Sequence, residues 1–182
     1  MKLSLILTIL FAFFIYGCAN ENNLELKTKT ETQNLNQVSK IGTEIGSIPP
    51  DFVVVTTEDN AVRLRDFQEN RRPVIVYFMA TWCPFCKHEY EEISKAYPQY
   101  SYKVDLVSVS IDLNENAAVL EKYRIDNNRP GIFAPGSQQI LENYNVLYTT
   151  TKYAIDKNGV IVYKRVGEMD AGSWKTMLEA LS

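Results

Sequence analysis

The 182-residue chain is poor in the residues that most often signal a site: it has three cysteines and a single histidine, His88. Three cysteines cannot make the several bridges on which a small disulfide-stapled domain depends. One histidine beside one close cysteine pair also falls short of the four nitrogen or sulfur ligands of a structural zinc site, unless two chains share the metal. There is no basic block or stripe. Lysine and arginine number 19 against 22 acidic residues, mixed along the chain, for a net charge of −3, which argues against nucleic acid as a partner. The longest apolar run, Leu3 to Tyr16, is too short for a mature membrane-spanning helix. No internal repeat is present.

What is there reads as one domain with something added in front. Hydrophobic residues make up 46% and charged residues 23%, enough for an ordinary core. Lys2 followed by the apolar run has the size of a signal-peptide core. The run ends in Ile15-Tyr16-Gly17-Cys18, which resembles a bacterial lipobox, although Tyr16 is bulkier than the small residue usual there. The expectation is a lipoprotein signal peptide over residues 1–17 and lipidation of Cys18. The two acyl chains of a diacylglycerol suffice for stable anchoring. Residues 18–40 are rich in Asn, Thr, Glu and Lys, with no sustained apolar period, and read as a flexible tether. The protein is therefore expected to be exported and membrane-anchored, facing the periplasm, with its folded domain over residues 41–182.

Within that domain the patterning alternates between strands and helices. Asp51–Val55 and Ala61–Arg65 read as two strands of an N-terminal β-hairpin. Val74–Met79 is continuously apolar, as in a central strand buried on both faces. A helix is expected from Pro84 to Tyr97, stopped by Pro98. A strand at Val104–Ser110 and a helix at Glu115–Tyr123 follow, then a loop of turn formers over residues 126–136. A short helix at Gln138–Tyr144 precedes strands Lys152–Asp156 and Val160–Arg165, joined at Lys157-Asn158-Gly159, and Ala171–Leu181 is a final helix. Early strands linked by helices run parallel and the last pair is a hairpin, so the sheet is mixed, with helices on both faces.

The chemistry lies in Trp82-Cys83-Pro84-Phe85-Cys86. With Cys18 assigned to lipid, Cys83 and Cys86 are the only thiols of the domain. Cysteines at i and i+3 on a first helical turn face each other and can close a small disulfide ring. Such a loop is too short to stabilise much by restricting the unfolded chain. Cys83 sits where unpaired N–H groups and the positive end of the helix dipole favour a thiolate. Pro84 suits the first helical position because it has no N–H to leave unpaired. Cys86, one turn in, is the more buried thiol. The asymmetry casts Cys83 as nucleophile and Cys86 as the resolving thiol. His88 is expected to face solvent.

The run VIVYFMATWCPFCKHE resembles the active-site strand, turn and helix of thioredoxin-fold proteins, and more narrowly of the TlpA/ResA-like thiol–disulfide oxidoreductases. Pro50-Asp51-Phe52, Leu64-Arg65-Asp66-Phe67, Tyr144-Asn145-Val146 and Tyr153 to Gly159 extend the likeness, so that it covers residues 42 to 182. The resemblance implies an α/β thioredoxin-like fold and an enzyme that reduces or exchanges disulfides in exported proteins, including apocytochromes in cytochrome c maturation. No cofactor and no metal are expected; an integral-membrane thiol donor would reset the Cys83–Cys86 pair. It also implies that Glu89, three residues after Cys86, handles protons for that thiol. Trp82, Pro84 and Phe85 fall at the substrate-docking surface, as do Thr149 and Thr150.

Two departures from the family pattern stand out. Glu91 replaces a proline that kinks the family's helix, and Thr150 stands at the position of its cis-proline. A non-proline cis bond costs about 2.5–4 kcal/mol, so Thr149–Thr150 is expected to be trans, and a threonine hydroxyl could then bond a cysteine sulfur. The second departure keeps an alternative open. In it the module is not catalytic, and its CxxC holds a shared metal or cluster, or traps client thiols. Between the cysteines, Pro84-Phe85 offers no side-chain donor to stabilise the reduced form. That favours a reductant or mid-potential exchanger over a strong oxidant.

Overall fold

The apolar stretch Val74–Met79 is the middle strand of the sheet, with all six residues buried. The computed structural model describes residues 40–182; the signal segment, Cys18 and the tether through residue 39 lie outside the described residues. In chain order the elements are β1 (Val53–Val55), β2 (Ala61–Arg63), α1 (Leu64–Glu69), β3 (Val74–Met79) and α2 (Pro84–Ala96). A 3₁₀ turn (Tyr97–Gln99), β4 (Asp105–Ser110), α3 (Ala117–Asp126), β5 (Ile132–Ala134) and α4 (Gln138–Asn143) follow. The last three are β6 (Thr151–Ile155), β7 (Ile161–Val166) and α5 (Ala171–Leu181).

β1 and β2 form their own antiparallel pair. The main sheet has the order β5-β4-β3-β6-β7. β3, β4 and β5 run parallel, while β6 and β7 are antiparallel to their neighbours, which is the mixed sheet expected. Successive side chains of β3 feed opposite faces. Ile75, Tyr77 and Met79 enter a core with Tyr90 and Ile93 of α2, Leu120 of α3, and Trp174 and Leu178 of α5. Val74, Val76 and Phe78 enter a second core with Phe52, Leu64, Ile140 and Tyr144. Burying each such side chain contributes about 1.5–3 kcal/mol, which is why the most continuous apolar run takes the central position.

The register decides where the chemistry lies. Phe78 near the end of β3 pairs with Thr151 at the start of β6. The turn carrying Cys83 and the loop preceding Thr151 therefore leave the sheet at the same end of these two neighbouring strands.

Local patterning misjudged several boundaries. The strand expected over Ala61–Arg65 ends at Arg63, and Leu64 opens α1 instead. No side chain at the N-cap secures that turn. The distant Asp51 carboxylate does, accepting the Arg65 N–H at 3.1 Å and the Phe52 N–H at 3.0 Å. The loop over residues 126–136 contains β5, whose three residues pair with β4. Gly131 opens it at φ 97°, where a Cβ would lie 2.8 Å from the Leu106 carbonyl oxygen. Pro98 does not follow an α-helix ending at Tyr97. The helix ends at Ala96, and the proline sits in the 3₁₀ turn after it. The helix expected from Glu115 starts at Ala117, capped by Asn116 through the Val119 N–H at 3.0 Å. Helix α2 runs without interruption past Glu91.

Candidate active site

β3 hands the chain to α2 through Ala80-Thr81-Trp82, and Cys83 is the N-cap of α2. Its sulfur accepts the Cys86 N–H at 3.3 Å, and Pro84 occupies the first turn. One helix-end N–H, which no backbone carbonyl can reach, is thus directed at the first cysteine. Both cysteines are free thiols. Cys83 is only 3% exposed, and Cys86 is fully buried. Burial, reinforced by a hydrogen bond with Cys83, pushes the Cys86 thiol up to about 12. Trp82 and Phe85 are 64% and 61% exposed and flank the thiols with apolar surface.

Two acidic side chains hold the turn before Cys83. Glu115, buried although in a loop, accepts the Thr81 N–H at 2.9 Å and the Ser110 hydroxyl at 2.5 Å, and also the Thr81 hydroxyl. Asp112 accepts the Trp82 indole N–H at 2.8 Å. The Asn114 N–H, donating to it at 2.9 Å, and then the Trp82 indole hold the Asp112 carboxyl below the usual carboxylate range.

Opposite lies the loop Val146–Thr150. The Thr149 hydroxyl is 3.1 Å from the Cys83 sulfur, so the threonine that meets the cysteine is Thr149. Thr150 is buried with its hydroxyl unpartnered. No cis peptide bond occurs among the described residues. His88 faces solvent and bonds Glu168 at 2.8 Å.

Beneath the thiols lies a buried polar cluster. Glu89, one turn beyond Cys86, is wholly inaccessible to solvent. Its Oε2 accepts the Tyr77 hydroxyl at 3.0 Å. Its Oε1 accepts the Met169 N–H at 3.0 Å and the Trp174 indole N–H at 3.3 Å, and also the Lys152 ammonium. Lys152, equally buried, donates further to the Gly167 carbonyl at 2.7 Å and lies over the rings of Tyr77 and Trp174. Burial lowers the affinity of this amine for its proton, and Glu89 opposes that pull. A charge so enclosed survives only when paired. The family resemblance points to Glu89; it points to none of Tyr77, Lys152 and Trp174. The one available signal was a lysine within Thr151-Lys152-Tyr153-Ala154-Ile155, a strand buried along its whole length.

An extended strand, a cysteine-capped helix and a second thiol behind it define a thioredoxin-like thiol–disulfide oxidoreductase. A model of the AhpC/TSA family matches residues 45–164, and the chain belongs to that family. Thiol-disulfide oxidoreductase ResA of Bacillus thuringiensis subsp. konkukian is 30% identical over 126 residues, covering 69% of this chain and 71% of that protein. Thiol:disulfide interchange protein DsbE of Pseudomonas aeruginosa is 28% identical over 141 residues, covering 75% and 74%. The solved thioredoxin domain of a Bacteroides vulgatus thiol-disulfide oxidoreductase superposes with a TM-score of 0.65 at 22% identity. It spans 76% of this chain and 99% of that one, a likeness of fold alone.

Proposed function

We propose that the chain reduces or exchanges disulfides in exported proteins through a Cys83/Cys86 dithiol, apocytochromes awaiting haem among them. The observation that carries this is the asymmetry of the two sulfurs. One caps a helix within reach of a hydroxyl and an N–H, and the other is a fully buried thiol held protonated. The Cys83 thiolate attacks one sulfur of a substrate disulfide, forming a mixed disulfide and releasing one substrate thiolate. Cys86 then gives up its proton and attacks the Cys83 sulfur. The Cys83–Cys86 disulfide closes and the second substrate thiolate leaves, so the substrate gains the two electrons the enzyme loses. A membrane-embedded thiol donor restores the dithiol. Glu89 takes and returns the Cys86 proton, and Trp82, Pro84, Phe85 and the Thr149-Thr150 loop receive the substrate.

Residues 1–17 as a lipoprotein signal, Cys18 as the lipidated residue and residues 18–40 as the tether complete the proposal and place residues 41–182 in the exported compartment. A metal-holding CxxC would need donors beyond the two thiols. His88, with its side chain 65% exposed and engaged by Glu168, supplies none inside this chain.

The test joins a potential to a trap. A reversible, metal-free two-electron couple near or below about −200 mV makes the protein a reductase or exchanger, whereas a value near about −120 mV makes it an oxidant. Cys86→Ala should accumulate mixed disulfides with exported proteins. Thiols that copurify with metal and do not cycle would overturn the proposal.

A further inference from the structure

The chain leaves β3 and reaches Cys83 through a turn closed by the Cys83 N–H, which donates to the Ala80 carbonyl at 3.2 Å. That bond closes the turn without fixing where it sits. The outside hold comes from one stretch, residues 110–115, at and beyond the end of β4. Oε1 of Glu115 accepts the Thr81 N–H at 2.9 Å and the Thr81 hydroxyl as well. Oε2 accepts the Ser110 hydroxyl at 2.5 Å. Asp112 takes the Trp82 indole N–H at 2.8 Å.

This stretch is itself anchored. The Ile111 N–H donates to the Met79 carbonyl at 2.8 Å, which ties it to the end of β3. The Ser110 hydroxyl accepts the Asp112 N–H at 3.1 Å, and the Glu115 N–H donates to the Asp112 carbonyl at 3.0 Å. At Gly136 a Cβ would lie 2.0 Å from the Ser110 carbonyl oxygen, so the chain after β5 presses directly on the same strand end. Glu115 is buried, and among the described residues no cation pairs with it. Burying a carboxyl is costly unless its oxygens find donors, and an apolar side chain would fill the space without that cost. The donors Glu115 finds are Ser110 at the base of the loop and Thr81, two residues before the nucleophile.

We propose that Glu115 is a positioning residue for Cys83. Through the Thr81 N–H it holds the turn where the Cys83 sulfur meets the Cys86 N–H at 3.3 Å and the Thr149 hydroxyl at 3.1 Å. Those two partners stand on α2 and on the loop before β6. The sulfur keeps both only while its turn is anchored from a third side, the loop after β4. What anchors it is an acceptor at Oε1 and not a charge. This rests on Cys83 and Cys86 forming a redox couple, as proposed above. Both partners donate to a Cys83 thiolate and gain little from the neutral sulfur of a disulfide, so a loosened turn weakens the reduced form.

The test is the reduction potential of the complete protein in glutathione buffers, with the dithiol fraction read by alkylation. Glu115→Met keeps the length of the side chain and removes both acceptors. The equilibrium should shift about threefold to tenfold toward the disulfide, a potential lower by about 15–30 mV. Glu115→Gln keeps an oxygen for the Thr81 N–H and turns its NH₂ to the Ser110 hydroxyl, which can accept it, so it should recover most of the shift. The sign separates position from charge. A carboxyl acting by its charge would oppose a nearby thiolate, and both variants would then raise the potential. The Glu115→Met shift should also shrink in a Thr149→Val background, because the residue acts in part through the contact that variant removes.

A Glu115→Met potential at or above the wild-type value overturns the proposal, even where urea unfolding shows lost stability, since that leaves a structural role alone. So does Glu115→Gln as low as Glu115→Met, or a shift undiminished by Thr149→Val. If Glu115→Met fails to fold, Thr81→Val removes one of the two Thr81 donors to the same carboxyl and should lower the potential by a smaller amount. An unchanged potential there overturns the proposal equally. A wild type whose thiols form no reversible couple refutes the dithiol reading itself, a failure distinct from a reversible couple indifferent to Glu115.

Discussion

Replacing Thr149 by valine removes the hydroxyl that meets the Cys83 sulfur while nearly preserving shape. At 3.1 Å the hydroxyl is within hydrogen-bond reach, and once Cys83 is a thiolate the threonine must be the donor. Hydrogen bonds to charged groups are worth about 1.5–3 kcal/mol. Thr149 is only half-buried and the Cys86 N–H remains at 3.3 Å, so the low end, about 1.5 kcal/mol, is the reasonable choice. In the disulfide the sulfur is neutral and gains little from the same contact. The variant therefore loses stability chiefly in its reduced form. For a two-electron couple about 1.4 kcal/mol corresponds to about 30 mV, so the potential should fall by about 30 mV. Equilibration in glutathione buffers of stepped ratio, with the dithiol fraction read by alkylation, resolves such a shift. Thr150→Val is the internal control. Its hydroxyl is buried and unpartnered, so that variant should hold the wild-type potential and be as stable or slightly more so. An unchanged or higher potential in Thr149→Val, or an equal shift in Thr150→Val, refutes the assignment.

Lys152→Met leaves Glu89 buried without its cation and should destabilise the domain by about 3–5 kcal/mol in urea unfolding. The double variant Glu89→Leu/Lys152→Met should lose less than the sum of the singles, and additive losses would deny the pairing. Because burial raises the Cys86 thiol from 9.0 to about 12, the folded state favours its proton, a stabilisation complete below about pH 9 and lost as pH rises toward 12. The reduced protein should therefore lose up to about 4 kcal/mol relative to Cys86→Ala across that window, and parallel stability curves would contradict this. Trp82→Ala and Phe85→Ala remove exposed apolar surface beside the thiols and should lower kcat/KM for a protein disulfide about tenfold each while leaving reaction with dithiothreitol intact. Equal losses on both substrates would show damage to the thiol site instead of to docking.

The redox pair was legible because its signals are local. Two cysteines three apart behind a proline-started helix need no distant partner to define their geometry, and Cys83 caps the helix as that spacing requires. The final helix was expected over Ala171–Leu181, and the structure has it there. Glu89 was half legible: its spacing placed it one turn beyond Cys86 but was silent on what encloses it. Helix α1 and strand β5 were hidden because distant groups secure them, Asp51 for one and the edge of β4 for the other.

The sequence by itself determined most of the elements, the buried central strand and the identity of the two thiols, because each depends on interactions within a few residues. Only the tertiary structure decided which threonine faces Cys83 and what surrounds Glu89. Residues 77, 89, 152 and 174 lie on four separate elements, and only sheet register and helix packing bring their polar atoms together where water cannot reach.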